Sequence, residues 1–274
     1  MMMTDFKVNV DIKSYVAEQK MKLKDFFANN NRPLWIIQVG NNEASNRYIR
    51  NKIKDCKEVG LTNVEWSVFD ETISQEDLIA EIKDRQDEFS GIIVQLPLPT
   101  HLSEEEIALA IPPEKDIDGF HPMSKFKPCT PTGIINFLKT RMNLDGLHAV
   151  IIGRSNIVGK PLAKMLTEEN ATVTLCHSHT KHLSNFCQAA DLIICAVGKA
   201  KFLNCYSIHV PVVDVGINFD EDGRMVGDCF NTENRDVTPV PGGVGLLTRL
   251  ALLENMTQTL PVESSELEGQ CSLF

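Results

Sequence analysis

Apolar residues come in short blocks, and between the blocks the spacing changes from continuous to every third or fourth position. Residues 33–40, PLWIIQVG, form an apolar run of strand length. Residues 44–60, ASNRYIRNKIKDCKEVG, follow with Ile49, Ile53 and Cys56 at helical spacing, a stripe expected to pack inward. The same alternation continues with a strand over 64–70, a helix over 74–89, and a strand over 91–99 that prolines end. A short helix over 103–111 follows, with Ser103 as N-cap and Glu106 completing a capping box. Residues 11–29 also read as a helix.

Residues 112–132 hold five of the thirteen prolines, the composition of a linker. A second alternating run follows it. Helices are expected over 130–141, 158–170, 182–190 and 247–260, and strands over 148–153, 171–176, 191–198 and 210–217, with TPVPGGVG (238–245) as a loop. Strands separated by helices imply βαβ units and parallel sheets. The expected fold class is therefore α/β, with two α/β lobes and a cleft between them. The second lobe is expected to be a Rossmann-like, doubly wound parallel sheet. The lobes are placed at 1–122 plus 246–274 and at 123–245. Residues 261–274 are expected to form a polar, mobile tail.

Composition narrows the partners. The chain has 274 residues, 43% hydrophobic and 23% charged, with a formal net charge of −10. That balance argues against nucleic acid or an anionic membrane as the main partner. No apolar run approaches the about 20 residues of a membrane span, and MMMTDFKVNVDIK lacks the apolar core of a signal peptide. The eight cysteines are scattered with no CxxC pair, which suits reduced thiols in a cytoplasmic protein.

In the second lobe, HAVIIGRSNIVGKPLAKML joins a buried strand to a helix through Gly153 and Gly159. Such a loop can offer backbone N–H groups and a helix N-terminus to a pyrophosphate. It is not GxGxxG, so a plain tight turn is the competing reading. An NAD site places Asp or Glu about 20 residues on, at the ribose 2′-OH. Here that position reads LCHSHTKH, with no carboxylate. Arg154, Ser178 and Lys181 suit a 2′-phosphate instead, which favours NADP over NAD. The Cys/His cluster also raises a metal, but no second cluster has zinc-ligand spacing, so none is expected.

In the first lobe, Ser45, Tyr48 and Lys52 share one helical face. A core-edge tyrosine beside a solvated lysine is the ordinary reading of that row. Three features favour a site: Gln95 at a strand end in VQLPLP, Asp118 in KDIDG, and the glycines of TPVPGGVG, which let backbone approach a flat ligand.

SNRYIRNK, VQLPLP, EKDIDGFHP, PCTPTG, GRSNIVGKP, ATVTLCHSHT, DVGIN, VGD and TPVPGGVG occur in this order over roughly residues 30–260. In that combination the chain resembles the bifunctional methylenetetrahydrofolate dehydrogenase/methenyltetrahydrofolate cyclohydrolase family. The resemblance implies a folate-binding catalytic lobe, an NADP-binding second lobe and a homodimer. It implies Lys52 as catalytic lysine, Tyr48 stacked on the pterin, Gln95 bonded to Lys52, and Asp118 on the polar edge of the pterin. Val94, Leu96 and the loop Pro241, Gly242, Gly243, Val244 and Gly245 would line the folate site. Gly153, Arg154, Ser155, Ser178 and Ile217 would contact NADP. The implied function is NADP-dependent oxidation of 5,10-methylenetetrahydrofolate, then hydrolysis of the methenyl product to 10-formyltetrahydrofolate.

Three departures from the family pattern leave alternatives open. Between DGFHP and PCTP only MSKFK (123–127) is present, Leu246-Leu247-Thr248 replaces Pro-Met-Thr, and the Gly-rich opening is absent. A cyclohydrolase with weakened dehydrogenase activity, or a non-catalytic folate- or nucleotide-binding paralogue, fits those changes. A short-chain dehydrogenase also uses Tyr-xxx-Lys, but there the pair follows the nucleotide loop, whereas Tyr48 and Lys52 precede it.

Overall fold

The computed structural model describes residue 8, residues 11–30 and residues 32–262. The expected tail lies, from residue 263 onward, outside the described residues, as does most of the N-terminal stretch. The chain forms two compact units, Met21–Phe126 with Leu253–Phe274, and Met1–Lys20 with Lys127–Leu252. Helix α1 (Ile12–Asn29) contributes residues to both.

The first of these units is built on β1 (Leu34–Val39), α2 (Glu43–Glu58), β2 (Val64–Phe69), α3 (Gln75–Arg85), β3 (Gly91–Val94) and α4 (Glu104–Ala110). Its three strands are parallel in the order β2-β1-β3. β1 is buried at every position, as a central strand covered on both faces requires. Trp35, Ile37, Leu78, Ile82, Ile92 and Ile107 form the core on one side. Lys115–Ile117 extends the sheet beyond β3, through an Ile92–Asp116 bridge and an Ile92 N–H to Lys115 carbonyl bond of 2.8 Å. The strand expected over 91–99 stops at Val94, because the prolines that follow cannot continue a ladder.

The second unit contains α5 (Cys129–Lys139), β4 (His148–Ile152), α6 (Gly159–Glu168), β5 (Thr172–Cys176), α7 (Leu183–Gln188), β6 (Leu192–Cys195), β7 (Leu203–Asn204), β8 (Val212–Asp214), β9 (Asn218–Phe219), β10 (Met225–Val226) and β11 (Cys229–Phe230). The main sheet is parallel in the order β5-β4-β6-β8. The chain leaves β4 for β5 on one side and returns to β6 on the other, so the strand order reverses at β4/β6. That reversal is the doubly wound, Rossmann-like arrangement. β7 with β11 and β9 with β10 form two small pairs; two-residue strands carry no periodicity from which to read them. Helix α8 (Val244–Thr257) closes the described chain and begins three residues earlier than its sequence pattern predicts.

Ser103 caps α4 as expected, its hydroxyl accepting from the Glu106 N–H at 3.2 Å. The reciprocal half of the box runs through Gln75. Its amide oxygen accepts from the Ser103 N–H at 2.8 Å, and its amide nitrogen bonds the Glu106 carboxylate. One side chain thereby ties α3 to the start of α4.

Candidate active site

In an open parallel sheet, ligands collect where the strand order reverses, outside the carboxyl ends of the strands. In the first unit that reversal lies between β1 and β3, and the candidate residues emerge there. Asn42 caps α2, its side-chain oxygen accepting from the Ser45 N–H at 3.0 Å. Ser45 is therefore a capped residue of the first turn. A buried network fixes the helix start to β1. Gln38 donates from Nε2 to Asn46 Oδ1 at 2.8 Å, and its Oε1 accepts from Trp66 Nε1 at 3.2 Å.

The buried face of α2 is Ser45, Asn46, Ile49, Lys52, Asp55 and Cys56. Ile53, expected in the apolar stripe, is only half-buried, and Lys52 takes the inner face instead. An ammonium held at 3% exposure requires compensation. It comes from Asp118, whose Oδ2 lies 3.5 Å from Lys52 Nζ, and from the Tyr48 ring, whose centroid is 5.4 Å away. Asp118 reaches this point because Lys115–Ile117 runs beside β3, and Asn255 Nδ2 holds the Ile117 carbonyl at 2.9 Å.

Gln95 directly follows β3, and its N–H donates to the Ile37 carbonyl at 2.8 Å. The expected bond from Gln95 to Lys52 is not formed. Gln95 Nε2 donates to the Leu96 carbonyl at 2.8 Å, while Oε1 is buried without a partner. The amide plane is spent on a local bond, which leaves one unsatisfied acceptor. Val94 is buried and Leu96 half-buried beside it.

Asp116 supports the turn after Asp118. Its carboxylate accepts from the His121 N–H at 2.7 Å, and its carbonyl accepts from the Ser124 hydroxyl at 3.1 Å. The Phe126 N–H in turn donates to the Ser124 hydroxyl at 3.2 Å. Burial, first, and the nearby Asp118 charge push the Asp116 carboxyl above the ordinary carboxylate range. The short MSKFK segment is thus, up to Phe126, a turn anchored on Asp116.

In the second unit the reversal lies between β4 and β6. Gly153 follows β4 with φ of +121°, and a Cβ there would overlap the Ala196 carbonyl after β6. A Cβ on Gly159 would overlap Gly153 itself. The loop is therefore drawn tightly over the sheet edge, and only glycine fits both places. Just before α6, the Ser155 hydroxyl accepts from the Val158 N–H at 3.1 Å and the Gly159 N–H at 3.4 Å. Arg154 and Ser178 are exposed just past the ends of the adjacent strands β4 and β5, where the Gly153 N–H bonds the Cys176 carbonyl at 2.9 Å. No carboxylate occurs between Cys176 and His182. This donor set fits a nucleotide bearing a 2′-phosphate. Ile217 is exposed after β8.

The 241–245 loop is only partly as expected. Pro241 is exposed, and Gly242 has a φ of +102°. Gly243 is packed on the Pro239 carbonyl, and Gly245 is half-buried. Val244 belongs to the core with Val8, Ile134 and Leu138, so its side chain holds the loop down. Among the described residues no group of three or more His, Cys, Asp or Glu could hold a metal ion. No described helix is long and apolar enough to cross a membrane. Sequence reasoning missed Asp116, Asp214, Asp228, Gln38 and Asn46; DVGIN and VGD are the signals that contain Asp214 and Asp228.

Residues 6–118 match the tetrahydrofolate dehydrogenase/cyclohydrolase catalytic domain, and residues 128–263 match the NAD(P)-binding domain of the same description. The chain is similar to the bifunctional protein FolD of Streptococcus thermophilus, at 44% identity over 91% of this chain and 96% of the relative. It is 41% identical to that of Acetivibrio thermocellus, over 90% and 93%. Among solved structures, the bifunctional FolD methylenetetrahydrofolate dehydrogenase/cyclohydrolase of Campylobacter jejuni superimposes with a TM-score of 0.84 at 41% identity, over 89% of this chain and 95% of that one. The Trypanosoma brucei FolD, complexed with NADP cofactor and inhibitor, gives 0.85 at 28% identity, over 93% and 97%.

Proposed function

We propose residue roles for a chain that belongs to the tetrahydrofolate dehydrogenase/cyclohydrolase family. It oxidises 5,10-methylenetetrahydrofolate with NADP and hydrolyses the methenyl product to 10-formyltetrahydrofolate, two consecutive steps of one-carbon metabolism. The observation that carries the residue assignment is the buried Lys52–Asp118 pair at the carboxyl edge of the β2-β1-β3 sheet.

Tyr48 offers a half-buried ring for stacking on the pterin, and Asp118 offers a carboxylate to its polar edge. NADP, when bound, would supply the hydride acceptor for the methylene carbon between N5 and N10. For this step the protein mainly fixes the two reactants in register. Arg154 and Ser178 hold the 2′-phosphate, Gly153 and Ser155 shape the loop beside it, and Ile217 supplies an apolar contact. Val94, Leu96, Pro241, Gly242, Gly243 and Gly245 line the folate, with Val244 anchoring their loop.

Hydrolysis adds water to the methenyl carbon, opens the N5–carbon bond and releases one proton. Lys52 moves that proton at its Nζ, and Asp118 keeps the amine in place. Gln95 Oε1, a buried acceptor without a partner, would take a hydrogen bond from Lys52 or from the attacking water. Lys52→Met tests this directly. Hydrolysis should fall at least about 100-fold while NADP affinity is kept. Retained hydrolysis would remove Lys52 from the mechanism.

A homodimer in the cytoplasm is part of the same proposal. None of the seven described cysteines forms a disulfide, which suits a reducing compartment. β5 is an edge strand of the main sheet and, with α6, borders a depression lined by Ala163, Lys164, Thr167, Glu168, Val173 and Leu175, a surface suited to a second copy. The charge of −10 gives nucleic acid no attraction to the surface as a whole.

A further inference from the structure

Asp228 is fully buried, and its carboxylate gathers donors from two loops. Oδ2 accepts from the Val197 N–H at 2.6 Å and the Gly198 N–H at 2.9 Å. Oδ1 accepts from the Lys199 N–H at 2.8 Å and from Asn218 Nδ2 at 3.0 Å. Three successive N–H groups converging on one point form an anion nest, here turned by Gly198 at a φ of +69°. The anion that fills it is the protein's own.

A second buried carboxylate holds the first in place. Asp214, the last residue of β8, accepts from the N–H groups of Gly216 at 3.0 Å, Asp228 at 2.9 Å and Cys229 at 2.9 Å. A Cβ on Gly216 would overlap the Asp228 carboxylate, and one on Gly227 would overlap that of Asp214. The loop after β6 and the loop after β8 are therefore locked to one another at the carboxyl edge of the sheet. Ile217 stands exposed between Gly216, packed on Asp228, and Asn218, bonded to it.

We infer that Asp228 is a positioning residue for NADP. This rests on the reading that Arg154 and Ser178, on the β4/β5 side, take the 2′-phosphate. A dinucleotide lies across the point where strand order reverses, so its other end falls on the β6/β8 side. Asp228 fixes the Val197–Lys199 loop and Ile217 to receive that end. By filling the nest with negative charge, it also denies the nest to the phosphates. Phosphate contacts are left to the loop after β4, and the binding direction has one solution.

The test is Asp228→Asn in the full chain, which keeps the shape but turns an NH₂ toward either the Val197/Gly198 or the Lys199/Asn218 donors. Without NADP, amide exchange at Val197, Gly198 and Lys199 should accelerate. NADP Kd and KM should rise about tenfold or more, with hydrolysis of methenyltetrahydrofolate held within about twofold. The double variant Asp228→Asn with Asn218→Asp reverses one hydrogen bond and should recover part of the NADP affinity. Unchanged NADP affinity, or an equal fall in both activities, would overturn the inference. If Asp228→Asn does not fold, Asn218→Ala removes one donor alone; NADP KM should then rise about threefold, and no rise would overturn the inference. Arg154→Ala is measured alongside. NADP affinity that depends on Arg154 but not on Asp228 rejects this inference alone, whereas independence from Arg154 rejects the nucleotide reading beneath it.

Discussion

Lys52 Nζ and Asp118 Oδ2 lie 3.5 Å apart, both side chains nearly excluded from solvent, at the carboxyl edge of a three-stranded parallel sheet. Burying an ion pair is a poor route to stability, because desolvation offsets most of the attraction. A helix needing only to pack would place an apolar residue at this position. With the proposed role of the pair in proton transfer, Lys52→Met should lower hydrolysis at least about 100-fold through the lost amine. Circular dichroism should show the variant folded, and calorimetry should show NADP binding intact.

Gln95→Leu separates function from stability at a single position. The buried Oε1 lacks a partner, so replacing the amide with an apolar side chain of similar size removes an uncompensated group. Stability in urea should change by no more than about 1 kcal/mol. Hydrolysis should fall by about tenfold, the loss expected for one hydrogen bond made in the transition state. Wild-type turnover in this variant would mean that Oε1 takes no part.

Cofactor choice is predicted to rest on Arg154 and Ser178. Replacing both with alanine removes a guanidinium and a hydroxyl from the ends of β4 and β5, where no carboxylate is present to favour a free ribose. The kcat/KM ratio for NADP over NAD should fall about tenfold to 100-fold, as for the loss of a charge-assisted contact. The loss should appear mainly in KM for NADP. An unchanged ratio would place the 2′-phosphate elsewhere.

Asp116 gives a pH signature. Its folded-state pKa is raised above the ordinary value of 3.8, chiefly by burial. The folded protein then binds this proton more tightly than the unfolded chain does. The contribution of Asp116 to stability is fully present below 3.8 and is lost as pH rises through the elevated value. Urea unfolding of wild type and Asp116→Asn across that window should show wild type losing stability relative to the variant as pH increases. Parallel curves would contradict the raised value.

Much of this arrangement is legible from the order of residues. The alternation of apolar blocks with three-and-four spacing gives every major strand and helix, because buried parallel strands and amphipathic helices have distinct periods. Tyr48, Lys52 and Asp118 converge as their positions imply, since helical spacing and the end of a βαβ unit fix where they emerge. The side-chain bonds are less legible. The family resemblance implies a bond from Gln95 to Lys52, but the Gln95 amide nitrogen reaches the adjacent Leu96 carbonyl at 2.8 Å. Val244 sits in a glycine-rich loop yet packs in the core, because α8 starts at that residue. Asp214 and Asp228 are 14 residues apart in sequence, and their mutual burial arises only when the chain between β8 and β11 folds back on itself. Periodicity carries no information about such a contact.

The most direct test of the account is an absorbance assay on purified protein. 5,10-Methylenetetrahydrofolate is supplied with NADP or with NAD, and methenyltetrahydrofolate is then supplied alone. The account predicts reduced cofactor with NADP well above NAD, and protein-dependent loss of methenyl absorbance. Folded protein that performs neither reaction would contradict it. Hydrolysis without cofactor reduction would refute the dehydrogenase half and leave a cyclohydrolase.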